Sequence, residues 1–279
     1  MDRIQRALEL ARTPRVAPAG VDDVDDEGCD LARPELLAGY GRAQADPRDS
    51  APGARLTLDR AALSRNRVVF GSDRGPAARA YRMLRAQVLQ RVRASGARTI
   101  GVVSAAAGEG KTLTAINLAL SLAMEPNQSV SLVDLDLRHP GIAETLGIEP
   151  TYGLDSWLHD DSPVSAVAYE LEGVERLRVV PTLAPVIASS EALAEARIGE
   201  LLLRLRNRHP SELLIIDQAP ALLSDDVLTL APQLDGYLLV ATEKRTLRGD
   251  VARVFELLGR ERLIGTVFNG SADSELRAY

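Results

Sequence analysis

The residues with the most explicit chemistry form one short run, Ser104-Ala-Ala-Ala-Gly-Glu-Gly-Lys-Thr112. Small residues such as Ala107, Gly108 and Gly110 let backbone amides close on phosphate oxygens. Lys111 supplies a mobile positive charge to β- and γ-phosphates, and Thr112 offers a hydroxyl to magnesium. A β-rich stretch, 99–103, precedes the run and a helix-like stretch, 113–124, follows it. That context predicts a phosphate cradle on a helix N-terminus, where free amides and the helix dipole favour anions. The pattern G-x-x-x-x-G-K-[ST] is met except at its first glycine, which is Ala105. Of the 33 basic residues only Lys111 and Lys244 are lysine, so a lysine kept in the cradle stands out against an arginine background.

Two carboxylate sites follow at predicted strand ends, where a parallel sheet places its ligands. In Val130-Ser-Leu-Val-Asp-Leu-Asp-Leu-Arg138 the acids Asp134 and Asp136 are two residues apart, so an extended segment turns both to one side. In Leu213-Leu-Ile-Ile-Asp217 an apolar strand ends in a single acid, suited to a magnesium-bound water near the γ-phosphate. His139, His159 and His209 have no metal-ligand spacing, and Cys29 has no nearby histidine. Trp157 and 201–205 read as packing.

These groups need a scaffold, and the surrounding chain supplies its pattern. Runs at 99–103, 130–133, 177–180, 213–216, 237–240 and 263–268 alternate with helix-like segments. Several are apolar at successive positions, as strands covered on both faces must be. The expected fold class is α/β, a mostly parallel sheet flanked by helices with right-handed crossovers. Ahead of it, Tyr81, Leu84, Val88 and Val92 mark one face of a helix from about Ala77 to Gly96. The start of the chain divides differently. Residues 1–15 read as an amphipathic helix, 16–70 as a flexible linker rich in proline and with an acidic run at Asp22, Asp23, Asp25, Asp26 and Glu27, 71–270 as the nucleotide-binding domain and 271–279 as a tail.

The whole chain has 279 residues, 46% hydrophobic and 26% charged, with a formal net charge of -6. That balance argues against a chain-wide basic field for nucleic acid. Apolar runs such as 237–241 fall far short of the roughly 20 residues a membrane helix needs. One cysteine makes no internal disulfide, and no leader pattern opens the sequence; the expected location is cytoplasmic, with membrane contact only through a partner.

From about Gly75 to Asn269 the chain resembles the bacterial tyrosine kinases of capsule and exopolysaccharide synthesis, within the MinD/ParA-like P-loop ATPases. Gly108-Glu-Gly-Lys-Thr112 resembles their P-loop, Asp134-Leu-Asp-Leu-Arg138 their second Walker motif, and the strand ending in Asp217 their Walker B. Ser190-Glu-Ala-Leu193 and Ile264-Gly-Thr-Val-Phe-Asn269 agree in order. The resemblance implies an ATP- and Mg2+-dependent protein-tyrosine autokinase in which Ala107 to Thr112 hold ATP and Asn269 lies near the base. Thr112, Asp136 and Asp217 would hold the metal, Lys111, Asp134 and Asp136 would be catalytic, and Asp134 would accept the tyrosine proton. It also implies a membrane chain-length regulator, or polysaccharide co-polymerase, as activator, recruiting the chain to the inner face of the membrane.

Three departures keep a second reading open, a nucleotide-binding regulatory subunit with little kinase activity. The family's Asp-x-Pro-Pro is Asp217-Gln-Ala-Pro220 here. Its terminal tyrosine cluster is reduced to Tyr279, the candidate autophosphorylation site, with Tyr40 weaker. Its ring-forming E-x-x-R-x-x-R is Arg79-Ala-Tyr-Arg82-Met-Leu-Arg85, with the charge reversed at the first position. A positioning ATPase of the MinD/ParA type would carry an early P-loop lysine where this chain has Ala106.

Overall fold

The computed structural model describes residues 53–71, 74–160 and 162–270. The expected helix at 1–15, the acidic run, Cys29, Tyr40 and Tyr279 lie outside these residues. The strands are β1 (Arg55–Leu56), β2 (Thr99–Ser104), β3 (Ser129–Leu135), β4 (Tyr169–Leu171), β5 (Val174–Val180), β6 (Glu212–Gln218), β7 (Gly236–Thr242) and β8 (Leu263–Asn269). The helices are α1 (Arg60–Arg65), α2 (Pro76–Ser95), α3 (Lys111–Ala123), α4 (Ile142–Leu146), α5 (Leu154–Trp157), α6 (Ser189–Ala194), α7 (Ala196–Asn207), α8 (Asp226–Leu230) and α9 (Arg248–Leu258).

The eight strands form one sheet in the order β1-β4-β5-β3-β6-β2-β7-β8. All neighbours pair parallel except β4 with β5, so β1 and β4 run against the rest. The α/β class and all six strands expected from sequence are present. β2 and β6 are buried along their whole length, as expected of strands covered on both faces. Within β6 the two-residue period sorts the side chains. Leu213 and Ile215 join a core with α2 and α3, while Leu214 and Ile216 join a second core with α5 and α7. Tyr237 and Leu239 of β7 enter a third core against α9.

α2 opens with Pro76 and stops at Gly96, whose φ of 74° caps the helix while its N–H donates to Val92 O. α3, almost wholly buried, starts directly at the end of the glycine-rich loop. Register places Asp134 opposite Asp217 across the β3–β6 pair and Ser104 opposite Val240 across β2–β7. The phosphate-type loop and both acid sites therefore share one edge of the sheet.

The linker expected through residue 70 ends earlier. Residues 53–70 add β1 to the sheet and α1 to the α4 side, with Leu58, Leu63 and Val68 in the core. Val69 N–H donates to Asn117 Oδ1 at 2.7 Å, tying the segment to α3. Its apolar positions are too few for a periodic signal and gain burial only against distant elements. Among the described residues no helix is long and apolar enough to cross a membrane.

Candidate functional site

The loop between β2 and α3 reverses direction through Gly108 and Gly110, with φ of 73° and 88°. At Gly110 a side chain is doubly excluded, because a Cβ would stand 2.0 Å from the Asn269 amide nitrogen. The loop is braced from outside. Glu109, buried, accepts from Ala106 N–H at 3.0 Å and from the Thr246 hydroxyl. Its carbonyl accepts from Thr242 Oγ1 at 2.8 Å and Asn269 Nδ2 at 3.2 Å, and Arg245 donates to Gly108 O at 3.0 Å. Asn269, singled out from sequence, thus touches the loop itself.

Lys111 is only 8% exposed. Its Nζ lies 2.6 Å from Asp136 Oδ2 and 3.5 Å from Asp217 Oδ1, and donates to Thr112 Oγ1 at 3.2 Å. The Thr112 hydroxyl donates to Asp217 Oδ2 at 2.6 Å. Lysine, hydroxyl and two carboxylates that follow three strands therefore converge. Burial works to lower the Lys111 pKa, but Asp217, Asp136 and Asp134 outweigh it and raise it. Burial drives Asp217 up to about 6 against the pull of Lys111 and Thr112.

Asp134 is turned differently from Asp136. Its Oδ2 accepts N–H bonds from Gly141 and Ile142, both 3.0 Å, and its Oδ1 is buried without a hydrogen bond. Burial first, then the Asp217 charge, raise its pKa well above the carboxylate range. Asp136, one residue past β3, accepts from His139 N–H at 3.1 Å through its other oxygen.

The donors present suit a hard cation such as Mg2+: carboxylate and hydroxyl oxygens, with Asp217 Oδ1 buried and lacking a hydrogen bond. Among the described residues no three His, Cys, Asp or Glu side chains form a metal site by themselves.

Sequence reasoning did not single out Arg245, Thr242 and Thr246, which brace the loop from 133 to 137 positions away. It also passed over Asp226 and Ser189, which meet the Arg138 guanidinium, and gave Ser190 no role beyond its place in Ser190-Glu-Ala-Leu193. The residues it missed lie in no spaced motif. The expected ring motif is split by α2: Arg79 and Arg82 are exposed, whereas Arg85 turns inward to Ser121 O at 2.9 Å and Glu125 at 3.0 Å. Lys244 is exposed, with Glu243 3.9 Å from its Nζ. Trp157 is buried, with the Arg197 guanidinium 4.3 Å from its ring centre.

A family model described as ParA, NUBPL iron-transfer P-loop NTPase, matches residues 96–272. The tyrosine-protein kinase YwqD of Bacillus subtilis is 30% identical over 185 residues, 65% of this chain and 76% of YwqD. The succinoglycan biosynthesis transport protein ExoP of Rhizobium meliloti is 26% identical over 77% of this chain, which spans only 27% of ExoP. Among solved structures the VpsO kinase domain superposes with a TM-score of 0.62 at 27% identity, covering 70% of this chain and 95% of that one. With the loop, the three acids and the sheet order in place, the chain belongs to the ParA-type P-loop NTPases and, within them, to the bacterial tyrosine-kinase family.

Proposed function

We propose that the chain is an ATP- and Mg2+-dependent protein-tyrosine autokinase that regulates exopolysaccharide or capsule assembly. It would work at the inner face of the membrane with a chain-length regulator or co-polymerase as activator. The observation that carries the reading is the convergence of Lys111, Thr112, Asp136 and Asp217 within hydrogen-bonding or ion-pairing distance at one sheet edge. Names of relatives support it: YwqD is a tyrosine-protein kinase and ExoP a succinoglycan biosynthesis transport protein.

In this reading the amides of 107–112 cradle the phosphates, and Lys111 exchanges its carboxylate partners for phosphate oxygens. Thr112, Asp136 and Asp217 hold the metal, and Asn269 sits on the base side of the loop. Bound Mg2+ supplies charge neutralisation on the phosphates. Asp134 offers its unpartnered Oδ1 to the tyrosine hydroxyl proton. Most of the rate then comes from positioning and electrostatics rather than covalent chemistry by the protein.

A specific observation favours the regulatory-ATPase reading as the second. Gln218, which follows the Walker B acid, is buried with neither end of its amide hydrogen-bonded, next to Ala219 where the family pattern has proline. The deciding experiment is peptide mass spectrometry after incubation with ATP and Mg2+, with and without the cytoplasmic segment of a co-encoded membrane partner. Phosphotyrosine is expected in the wild type, absent in Lys111→Met, and lost from the tail in Tyr279→Phe. Nucleotide binding with no phosphotyrosine, even with the partner segment, would overturn the kinase reading in favour of the regulatory one.

A further inference from the structure

The six residues between β3 and α4 carry or hold two of the three site acids, so their position decides where those carboxylates stand. Part of the loop's hydrogen bonding is with itself and with Asp134. Asp134 takes the amides of Gly141 and Ile142, and Asp136 takes that of His139. Such bonds fix the loop's shape but not its place relative to Lys111.

Among the described residues, hydrogen bonds and ion pairs also tie the loop and Asp134 to distant elements. Lys111 meets Asp136, Thr182 Oγ1 donates to Asp134 O at 2.8 Å, and Val186 N–H donates to Leu137 O at 2.8 Å. The largest set is made by the Arg138 side chain. Its Nε donates to Ser189 Oγ at 2.8 Å and Asp226 Oδ2 at 3.1 Å, and its Nη2 reaches Asp225 Oδ1 at 3.0 Å and Asp226 Oδ1 at 3.4 Å. In the proposed reaction Lys111 turns to phosphate, so the tie at Asp136 loosens when geometry matters most. Among the described residues Arg138 then supplies the charged tether that remains to the loop.

The anchor at the other end is built for one state. Asp226 is 1% exposed and also accepts from Ser189 Oγ at 2.9 Å and Ser190 Oγ at 2.7 Å. Burial alone would raise its pKa, but the two serines and Arg138 outweigh it and hold the carboxyl below its ordinary range. A buried ion pair is a poor source of stability compared with apolar packing of the same volume. A planar guanidinium forked onto a carboxylate does fix direction and distance.

We propose that Asp226, acting through Arg138, is a positioning residue that sets the Asp136-bearing loop 136–141 against Lys111 for phosphoryl transfer. The rate effect rests on the kinase reading; the positional claim does not. The loops after β5 and β6 would thus control the carboxylates without touching nucleotide.

The test uses the full chain with Asp226→Asn, Arg138→Gln, Arg138→Lys and the double variant Asp226→Asn/Arg138→Gln, each checked for wild-type-like thermal melting. Without nucleotide, hydrogen exchange of the Gly141 and Ile142 amides should speed up about tenfold in Asp226→Asn and Arg138→Gln. With ATP and Mg2+, kcat should fall at least about tenfold while the KM for ATP stays within about twofold. The double variant should lose no more than either single, and Arg138→Lys should recover part of kcat. Folded variants with unchanged exchange, unchanged kcat, or losses that multiply in the double would overturn the proposal. If Asp226→Asn fails to fold, Arg138→Gln carries the test, since that side chain is 41% exposed. A wild type without phosphotyrosine sinks the kinase reading, and the exchange result then decides the tether alone.

Discussion

Lys111 is one cation among three buried acids, and the imbalance has a measurable sign. Asp217 is fully buried, with its pKa driven from 3.8 up to about 6, by desolvation first. A carboxyl whose folded pKa is raised favours the fold fully below its unfolded pKa, and that contribution is lost as pH rises through the folded value. Between about pH 4 and 6 the Asp217 contribution should therefore decline, leaving a cost at neutral pH on the order of 1 to 3 kcal/mol. Asn mimics the protonated acid, so Asp217→Asn should abolish Mg2+-dependent turnover while melting a few degrees above wild type at pH 7.5 without metal. The gap should close as pH falls toward 4; melts showing a lower Tm for Asp217→Asn at pH 7.5 would contradict this. The acids themselves were legible from sequence, because each ends an apolar strand. Their differing environments were not, since Asp134 and Asp136 diverge only when the chain turns back to bring Gly141 and Ile142 onto one of them.

At the scale of elements, the central strands were readable because burial on both faces writes a continuous apolar run into the sequence. β1 and β4 escaped that reading. They have two and three residues; β1 exists by pairing across a long separation, Arg55 with Glu170, and β4 is the short arm of a hairpin with β5, Leu171 opposite Val174. The same holds for the braces on the glycine-rich loop, which arrive from the ends of β7 and β8. The segment 53–70 offers a direct check. A chain beginning at Gly71 would uncover the faces that receive Leu58, Leu63 and Val68, and would lose the Asn117 bond to Val69. Each large apolar side chain removed from a packed site costs about 2 to 5 kcal/mol, partly offset by relaxation. Differential scanning calorimetry should therefore place its Tm at least several degrees below that of a chain beginning at Gly53. Equal melting temperatures would return these residues to the linker.

For the whole molecule, the formal charge of -6 hides an uneven distribution. α2 carries Arg79, Arg82, Arg85, Arg91 and Arg93 and no acid, so its outer face is basic on an acidic protein. Two copies meeting through this helix would bring like charges together, which costs affinity and slows encounter. Arg85 adds nothing to such a contact, because it is spent inside the subunit on Ser121 O and Glu125. Arg79 and Arg82 remain on the surface three positions apart, and at the first of them the related kinases have glutamate. The wild type should therefore sediment as a monomer at micromolar concentration in about 0.15 M salt. Arg79→Glu removes one of these like charges and turns an acid toward a neighbouring copy's basic helix, and should shift sedimentation velocity toward larger species. Raising the salt several-fold should reverse that shift, because exposed ion pairs are screened beyond a few ångströms. A wild type that already forms rings, or an Arg79→Glu chain that stays monomeric at low salt, would show that assembly is governed by a surface other than α2.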